Sequence, residues 1–343
     1  MDIAHDVSLA NYSTMRLGGI ADHLVEVRSR EQLQQAAAWA RDQHLPLIVI
    51  GGGSNIVWQD SGFRGLVVVN KISGYDDQLE GGNVHLLHVG AGEPWDSVVA
   101  RSVASGLTGI EALSLIPGTA GATPVQNVGA YGQEISQTLV SIDVYDTQTD
   151  SFATLQAADC GFGYRTSRFK TDFHRRYAIV GLTLQLTTGN PVPPFYGTVQ
   201  AYFEASPVDG PVTPAALREA VIAIRQAKLP DPATVANNGS FFANPVVDGP
   251  KLEALLAEFP DMPNWPLGDG SAKLPAAWLI EQTGFKDHHD EETGMATWHT
   301  QPLVLVNEHA HTTADLLAFK QKIMTAVEAK FGITLTQEPE LLP

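Results

Sequence analysis

Residues 45–57 read LPLIVIGGGSNIV, a short apolar run that passes straight into three glycines. An aliphatic run this short, bounded by Pro46 and by glycine, predicts a buried strand rather than a helix. Upstream, DHLVEV (22–27) predicts another strand, and SREQLQQAAAWARDQ (29–43) sets Ser29 and Gln32 at capping-box spacing before an alanine-rich helix. Strand, helix and strand open a β-α-β unit whose second strand delivers a loop of Gly51, Gly52, Gly53, Ser54 and Asn55 at its C-terminal end, where sheets of this kind bind ligands. Glycines let main-chain N–H groups approach a pyrophosphate without a Cβ in the way, and Ser54 and Asn55 add hydrogen bonds. Ile56 stands where a G-x-G-x-x-G fingerprint needs its third glycine, and no Gly-Lys-Ser/Thr follows, so the loop is neither that fingerprint nor a P-loop. Alone, it also reads as a tight turn.

Further strands are expected at GLVVVN (65–70) and NVHLLHVGAG (83–92), a helix at PWDSVVARSVASGL (94–107), and then comes the passage IPGTAGATPVQNVGAYG (116–132). Such a passage is poor as an element interior, and an unstructured loop of that length is usually functional or disordered. Thr119, Thr123, Gln126 and Asn127 give it polar edges. Two uncharged, glycine-rich, strand-linked loops suit a large ligand that carries a pyrophosphate and a flat ring. Between the expected strands LVSIDVYDT (139–147) and YAIVGLTLQL (177–186), the stretch CGFGYRTSRFK (160–170) gathers Tyr164, Arg165, Arg168 and Lys170. That cluster could clamp a carboxylate or phosphate, although arginines on loops are ordinarily solvated. After a proline-rich break at 191–194, Thr213 and Pro214 open a helix with Leu217, Val221 and Ile224 on one face. Beyond KLPDP (228–232) come short helices, a strand PLVLVN (302–307), a helix of about 18 residues and a last strand ITLTQE (333–338), so a boundary is expected near residue 230.

The 343 residues are 44% hydrophobic and 17% charged, which fits a packed globule of two or three domains. With 38 acidic against 21 basic side chains the net charge is −17, so nucleic acid and anionic membranes are disfavoured partners. An anionic small ligand stays possible, since backbone N–H groups and local cations bind phosphate against the mean field. The single cysteine, Cys160, excludes an internal disulfide and suits a reducing compartment. The start MDIAHDVSLANYS has no apolar core and no run approaches a membrane span, so a cytoplasmic protein without membrane insertion is expected. HHDEE (288–292) and HAH (309–311) lack metal-ligand spacing and read as solvated loops. Ser240 in NNGSFFANP, and Glu338 and Glu340 in QEPE, read alone as a turn hydroxyl and wet carboxylates.

In order, NYSTMRLGG, IVIGGGSNIV, GIEALSLIPGTAGATPVQNVGAYG, FGYRTSRFK, KLPDP, NGSFFANP, AAWLIEQTGFK, LVLVNE and EPE closely resemble the UDP-N-acetylenolpyruvoylglucosamine reductases, the MurB family, over residues 11–340. The resemblance implies an α+β fold, with a two-lobed FAD-binding domain of the vanillyl-alcohol oxidase type (lobes 1–72 and 73–229) followed by an α+β substrate-binding domain (230–343). It also implies a reaction: NADPH, the hydride-donating co-substrate, reduces FAD, and the enolpyruvyl ether of UDP-N-acetylglucosamine is then reduced to UDP-N-acetylmuramate for peptidoglycan, in a monomer. FAD contacts are implied at Gly51, Gly52, Gly53, Ser54, Asn55 and Ile56. Others are implied at Pro117, Gly118, Thr119, Gly121, Ala122, Thr123, Gln126, Asn127 and Gly132 of the passage, and at Ile179.

Arg165 matches the family's catalytic arginine and Glu340 its catalytic glutamate, both acting on the substrate carboxylate, and Ser240 matches its proton donor. Tyr164, Lys228, Asn244 and Gln301 match substrate contacts, and Tyr196 looks like the tyrosine that closes over the diphosphate. The chain departs from the family at Ala243, where lysine is frequent, and at TGMA (293–296), which stands for a Gly-Gly-Ala segment behind an acidic insertion, KDHHDEE (286–292). A flavin oxidase of the same fold is disfavoured by the lack of a His or Cys attachment motif. A nucleotide-binding module without activity is disfavoured by the intact Ser240, Arg165 and Glu340.

Overall fold

The computed structural model describes residues 1–343. They form two compact units, neither of them contiguous in sequence. The first comprises Met1–Val7, Ala21–Gly52 and Phe63–Ala227, and the second Ser8–Ile20, Gly53–Gly62 and Lys228–Pro343. The main division in the chain thus falls at 227/228, and two short N-terminal excursions belong with the C-terminal third.

In the first unit one sheet runs in the order Ala4–Ser8, Ile20–Val27, Phe63–Asn70, Leu47–Ile50. Phe63–Asn70 pairs in parallel with strands on both sides. Leu66, Val67, Val68 and Val69 are all buried, which is why this strand is continuously apolar rather than alternating. The helix Arg30–Asp42 lays Leu33, Ala36, Ala37 and Ala40 into the same core, which Tyr145, Ala178 and Val180 complete. Ser29 Oγ accepts the Gln32 N–H at 3.2 Å, and Gln32 Oε1 accepts the Arg28 N–H at 2.6 Å, one residue earlier than a capping box would place it.

The second sheet is antiparallel, in the order Ser151–Gln156, Leu139–Asp146, Tyr177–Thr188, Val84–Gly90, Tyr75–Gly81. The first and last of these are mostly exposed edge strands, in which only Phe152 and Leu155 of the one and Tyr75 of the other are partly buried against a core. The helix Trp95–Ala104 covers this sheet with Trp95, Val98 and Val99. The helix Pro214–Lys228 buries Leu217 and Val221, and Ile224 packs against the same cluster.

The second unit is built on a sheet in the order Ala236–Ser240, Gln301–Asn307, Met295–Trp298, His289–Asp290. The helix Thr313–Phe331 packs Leu316, Phe319, Ile323, Val327 and Phe331 against Phe241, Phe242, Leu279 and Ile280. Its N-terminus is held by Thr312 and Asp315 in a capping box, and Asp60 accepts the Thr313 and Ala314 N–H groups at 2.6 and 2.9 Å.

The strand expected at 333–338 is not formed. Its alternation does report burial, since Ile333 and Leu335 lie in the core. A ladder also needs a continuous partner, and here residues 241–243 offer only the bonds Ala243 N–H to Thr336 O (3.0 Å) and Glu338 N–H to Phe241 O (2.9 Å), with one bridge between Phe242 and Gln337. The C-terminal strand is instead Glu340–Leu342, parallel to Ile56–Trp58.

The acidic insertion forms a turn in which Asp290 accepts the Glu292 and Thr293 N–H groups and Lys322 Nζ (2.8 Å). His289 Nδ1 pairs with Glu308 at 2.9 Å. No three His, Cys, Asp or Glu side chains gather as a metal site, and no helix is long and apolar enough to cross a membrane.

Candidate active site

The strand Leu47–Ile50 ends at Gly51 and Gly52, which lie against the glycine passage. A Cβ on Gly51 would collide with Thr119 Oγ1, and one on Gly52 would sit 3.1 Å from Gly118 Cα. The two loops therefore pack so closely that neither glycine has room for a side chain.

The passage is compact rather than loose. Gly118 O accepts the Trp95 N–H (3.0 Å), the Gly121 N–H reaches Ala91 O (2.9 Å), and the Ala122 N–H reaches Thr119 O (3.0 Å). Backbone φ is positive at Gly118, Asn127, Tyr131 and Gly132. The Thr123 hydroxyl donates to Ala120 O at 2.7 Å. Asn127, 1% exposed, is committed at both ends of its amide: Nδ2 donates to Glu134 Oε2 (2.7 Å) and Gly163 O (3.1 Å), and Oδ1 accepts the Ser136 N–H (3.2 Å). Ile179 is buried in the second sheet, and its carbonyl accepts Asn70 Nδ2 at 2.8 Å.

The GYR loop is laced to this passage. Besides the bond from Asn127 to Gly163, Ser167 Oγ donates to Val125 O and Arg165 Nη2 donates to Gly129 O, each at 2.7 Å. Arg165 has φ +54° and lies 5.3 Å from the Tyr164 ring centroid. The basic cluster read from the sequence splits here. Arg168 turns instead to Asp172 (3.2 Å) and to the Phe173 ring (4.1 Å).

Tyr196, 46% exposed, meets the edge of Tyr131 at 5.9 Å between ring centroids. The half-buried Tyr131 hydroxyl has its pKa raised, chiefly by desolvation, while Arg225 beside it pulls the other way. Arg225 sits on the helix Pro214–Lys228, which Arg218 fastens to Asp96 by two bonds of 2.6 and 2.9 Å. Asp96 also takes the Leu115 N–H at 2.5 Å. Burial works to raise the Asp96 carboxyl, and Arg218 and the Leu115 N–H together hold it below the ordinary range. Sequence reasoning missed Tyr131, Asp96, Arg218 and Arg225. Tyr131 stands inside the glycine passage, whereas Asp96, Arg218 and Arg225 lie on expected helices where nothing in the local pattern marked them.

In the second unit, Ser240 ends its strand just after Gly239, whose φ is +69° and whose N–H is held by Asn237 Oδ1 (2.8 Å). Buried Asn238 donates through Nδ2 to Thr14 Oγ1, Ser54 O and Ile56 O at 3.1 to 3.3 Å. Its Oδ1 is buried without a protein partner, as suits a donor group on a ligand. Ser13 Oγ also donates to Ile56 O (2.8 Å), and the Glu340 N–H donates to Asn55 O (3.0 Å). The carbonyls of Ser54, Asn55 and Ile56 are thus all turned inward, and a Cβ on Gly53 would collide with Tyr12 O.

The C-terminal segment lies between the serine segment 240–243 on one side and the loop 54–56 on the other, so Ser240 and Glu340 belong to one bonded assembly. Asn244 Oδ1 accepts the Ala276 N–H (2.9 Å) at the start of the helix Ala276–Gln282. The Lys228 carbonyl accepts Thr300 Oγ1 (2.7 Å), which brings Lys228 beside the start of the strand carrying Gln301.

Residues 21–150 match the family described as FAD binding domain, and residues 231–342 match the UDP-N-acetylenolpyruvoylglucosamine reductase C-terminal domain. UDP-N-acetylenolpyruvoylglucosamine reductase from Ralstonia nicotianae is 40% identical over 337 residues, 97% of each chain. The protein of that name from Escherichia coli O6:H1 is 38% identical, covering 97% of this chain and 94% of its own. The crystal structure of the reductase (MurB) from Thermus caldophilus has the same fold, with a TM-score of 0.69 at 22% identity over 100% of both chains.

An FAD-binding domain with two apposed glycine loops, joined to a dedicated C-terminal domain, defines a flavin-dependent oxidoreductase of α+β architecture. Within that class, the chain belongs to the UDP-N-acetylenolpyruvoylglucosamine reductase family.

Proposed function

We propose that this enzyme uses NADPH, through FAD, to reduce the enolpyruvyl ether of UDP-N-acetylglucosamine to the lactyl ether of UDP-N-acetylmuramate, a step towards peptidoglycan, as a cytoplasmic monomer. The observation that carries this reading is the bonding of Ser240 and Glu340 into one assembly by the C-terminal segment. An acid that protonates carbon and a group that steadies the adjoining carboxylate must keep a fixed separation.

The flavin, when bound, supplies the hydride. The glycine-rich loops around Gly51, Gly52 and Gly118, which pack against each other, are the proposed holders of its pyrophosphate through backbone N–H groups. Hydride addition at the terminal methylene carbon turns it into a methyl group and leaves negative charge on the adjacent carbon and its carboxylate. Arg165 compensates that charge, and Glu340 acts beside it on the carboxylate. Ser240 then gives its hydroxyl proton to the adjacent carbon and is reprotonated from solvent. Lys228, Asn244, Gln301, Tyr164 and Tyr196 are the proposed contacts to the UDP-sugar. The lone buried thiol of Cys160 and the net charge of −17 favour this address and argue against nucleic-acid partners.

The test is a visible spectrum. Purified protein should be yellow, bleach with NADPH under anaerobic conditions, and recover its colour when the enolpyruvyl UDP-sugar is added. Recovery with oxygen or an alcohol alone, and none with that sugar, would instead indicate an oxidase.

A further inference from the structure

In the second unit, the helix Thr313–Phe331 sends one lysine to the C-terminal segment. Lys320 is half-buried, and its Nζ donates to Gln337 Oε1 at 3.1 Å. Gln337 Nε2 in turn donates to the Pro339 carbonyl at 2.7 Å. Burial alone pulls the Lys320 ammonium below its ordinary range, with no carboxylate drawing it back. An ammonium at the oxygen of an amide polarises that amide, so its N–H is a stronger donor.

The Pro339 carbonyl and the Glu340 N–H belong to the same peptide plane. The carbonyl is held by Gln337, and the N–H is held by Asn55 O at 3.0 Å. That plane is gripped at both ends, which fixes the backbone on which the Glu340 side chain is mounted.

We propose that Lys320 and Gln337 are positioning residues that aim the Glu340 carboxyl, so that removing either slows substrate reduction while leaving substrate binding nearly intact. This rests on the role given to Glu340 above.

The experiment mixes NADPH-bleached enzyme anaerobically with the enolpyruvyl UDP-sugar and follows the return of flavin colour in wild type, Lys320→Met, Lys320→Arg, Gln337→Leu, the double variant Lys320→Met/Gln337→Leu, and Glu340→Gln. Loss of aim should slow colour return about ten-fold or more in Lys320→Met and Gln337→Leu. The half-saturating sugar concentration should stay within about two-fold, and the NADPH bleaching rate should be unchanged. The double variant should be no slower than the slower single one, and Lys320→Arg should restore most of the rate.

If Glu340→Gln is slow while Lys320→Met and Gln337→Leu keep the wild-type rate, the relay is wrong and the role of Glu340 stands. Slowing accompanied by a lower melting temperature that Lys320→Arg does not rescue overturns it equally, as a packing effect. If Glu340→Gln itself keeps the wild-type rate, the role of Glu340 falls and the relay falls with it.

Discussion

Asn127 shows how a residue singled out for a ligand can be committed to the fold. Its three hydrogen bonds join the glycine passage to Glu134, Ser136 and Gly163, and so to the loop that carries Arg165. Replacing it with alanine removes three part-buried hydrogen bonds, each worth about 0.5–1.5 kcal/mol. We expect Asn127→Ala to lower the melting temperature by several degrees and to loosen FAD, read by calorimetry and by flavin lost on ultrafiltration. Polarity at position 127 was legible in the sequence, but which partners its amide would meet depends on residues 36 apart. Tyr145 gives a pH-dependent counterpart. It is fully buried, and burial first, then its bond to Asp150 Oδ1 (2.7 Å), pushes its hydroxyl up to about 12. A raised folded value means stability that is complete below the ordinary tyrosine value of about 10 and is lost as pH rises through about 12. Urea midpoints from pH 9 to 12 should therefore fall more steeply for wild type than for Tyr145→Phe, and parallel slopes would count against the assignment.

At the scale of elements, the β-α-β opening and the two glycine stretches were legible because apolar runs and glycines report strand burial and close backbone approach directly. The edge strands Tyr75–Gly81 and Ser151–Gln156 were not, because only a few of their side chains, Tyr75, Phe152 and Leu155, reach a core and the rest face solvent. Residues 333–338 show the converse: Ile333 and Leu335 alternate because the core takes them, while strand pairing waits for Glu340–Leu342. The apposed loops carry a direct prediction. Gly51→Ala would drive a methyl group into Thr119 Oγ1, so we expect FAD affinity to fall about ten-fold or more and stability to fall by about 1–3 kcal/mol. Gly197→Ala, at a helical glycine with open space around its Cβ, should be neutral or slightly stabilising. Flavin fluorescence titration of both apoproteins checks the pair, and equal affinities would mean that the loops do not face the cofactor.

For the whole molecule, composition announced a packed, acidic protein, and the order of its motifs announced the family. It could not announce that residues 8–20 and 53–62 return to the C-terminal unit, since that grouping depends on partners such as Asn238 and Glu340 that lie far along the chain. The charge of −17 predicts no retention on heparin and no sedimentation with anionic vesicles at about 0.15 M salt, and binding to either would require a basic face that the composition does not suggest. The central claim is that Ser240 hands a proton to the substrate carbon after hydride arrives. Its most direct test is a single turnover in which NADPH-bleached wild type and Ser240→Ala are mixed with the enolpyruvyl UDP-sugar without oxygen. Both should bleach alike with NADPH, and only wild type should regain its colour quickly, with Ser240→Ala slower by about 10²-fold or more. Colour returning equally fast in Ser240→Ala would contradict the account and leave Ser240 as the turn hydroxyl it resembles in isolation.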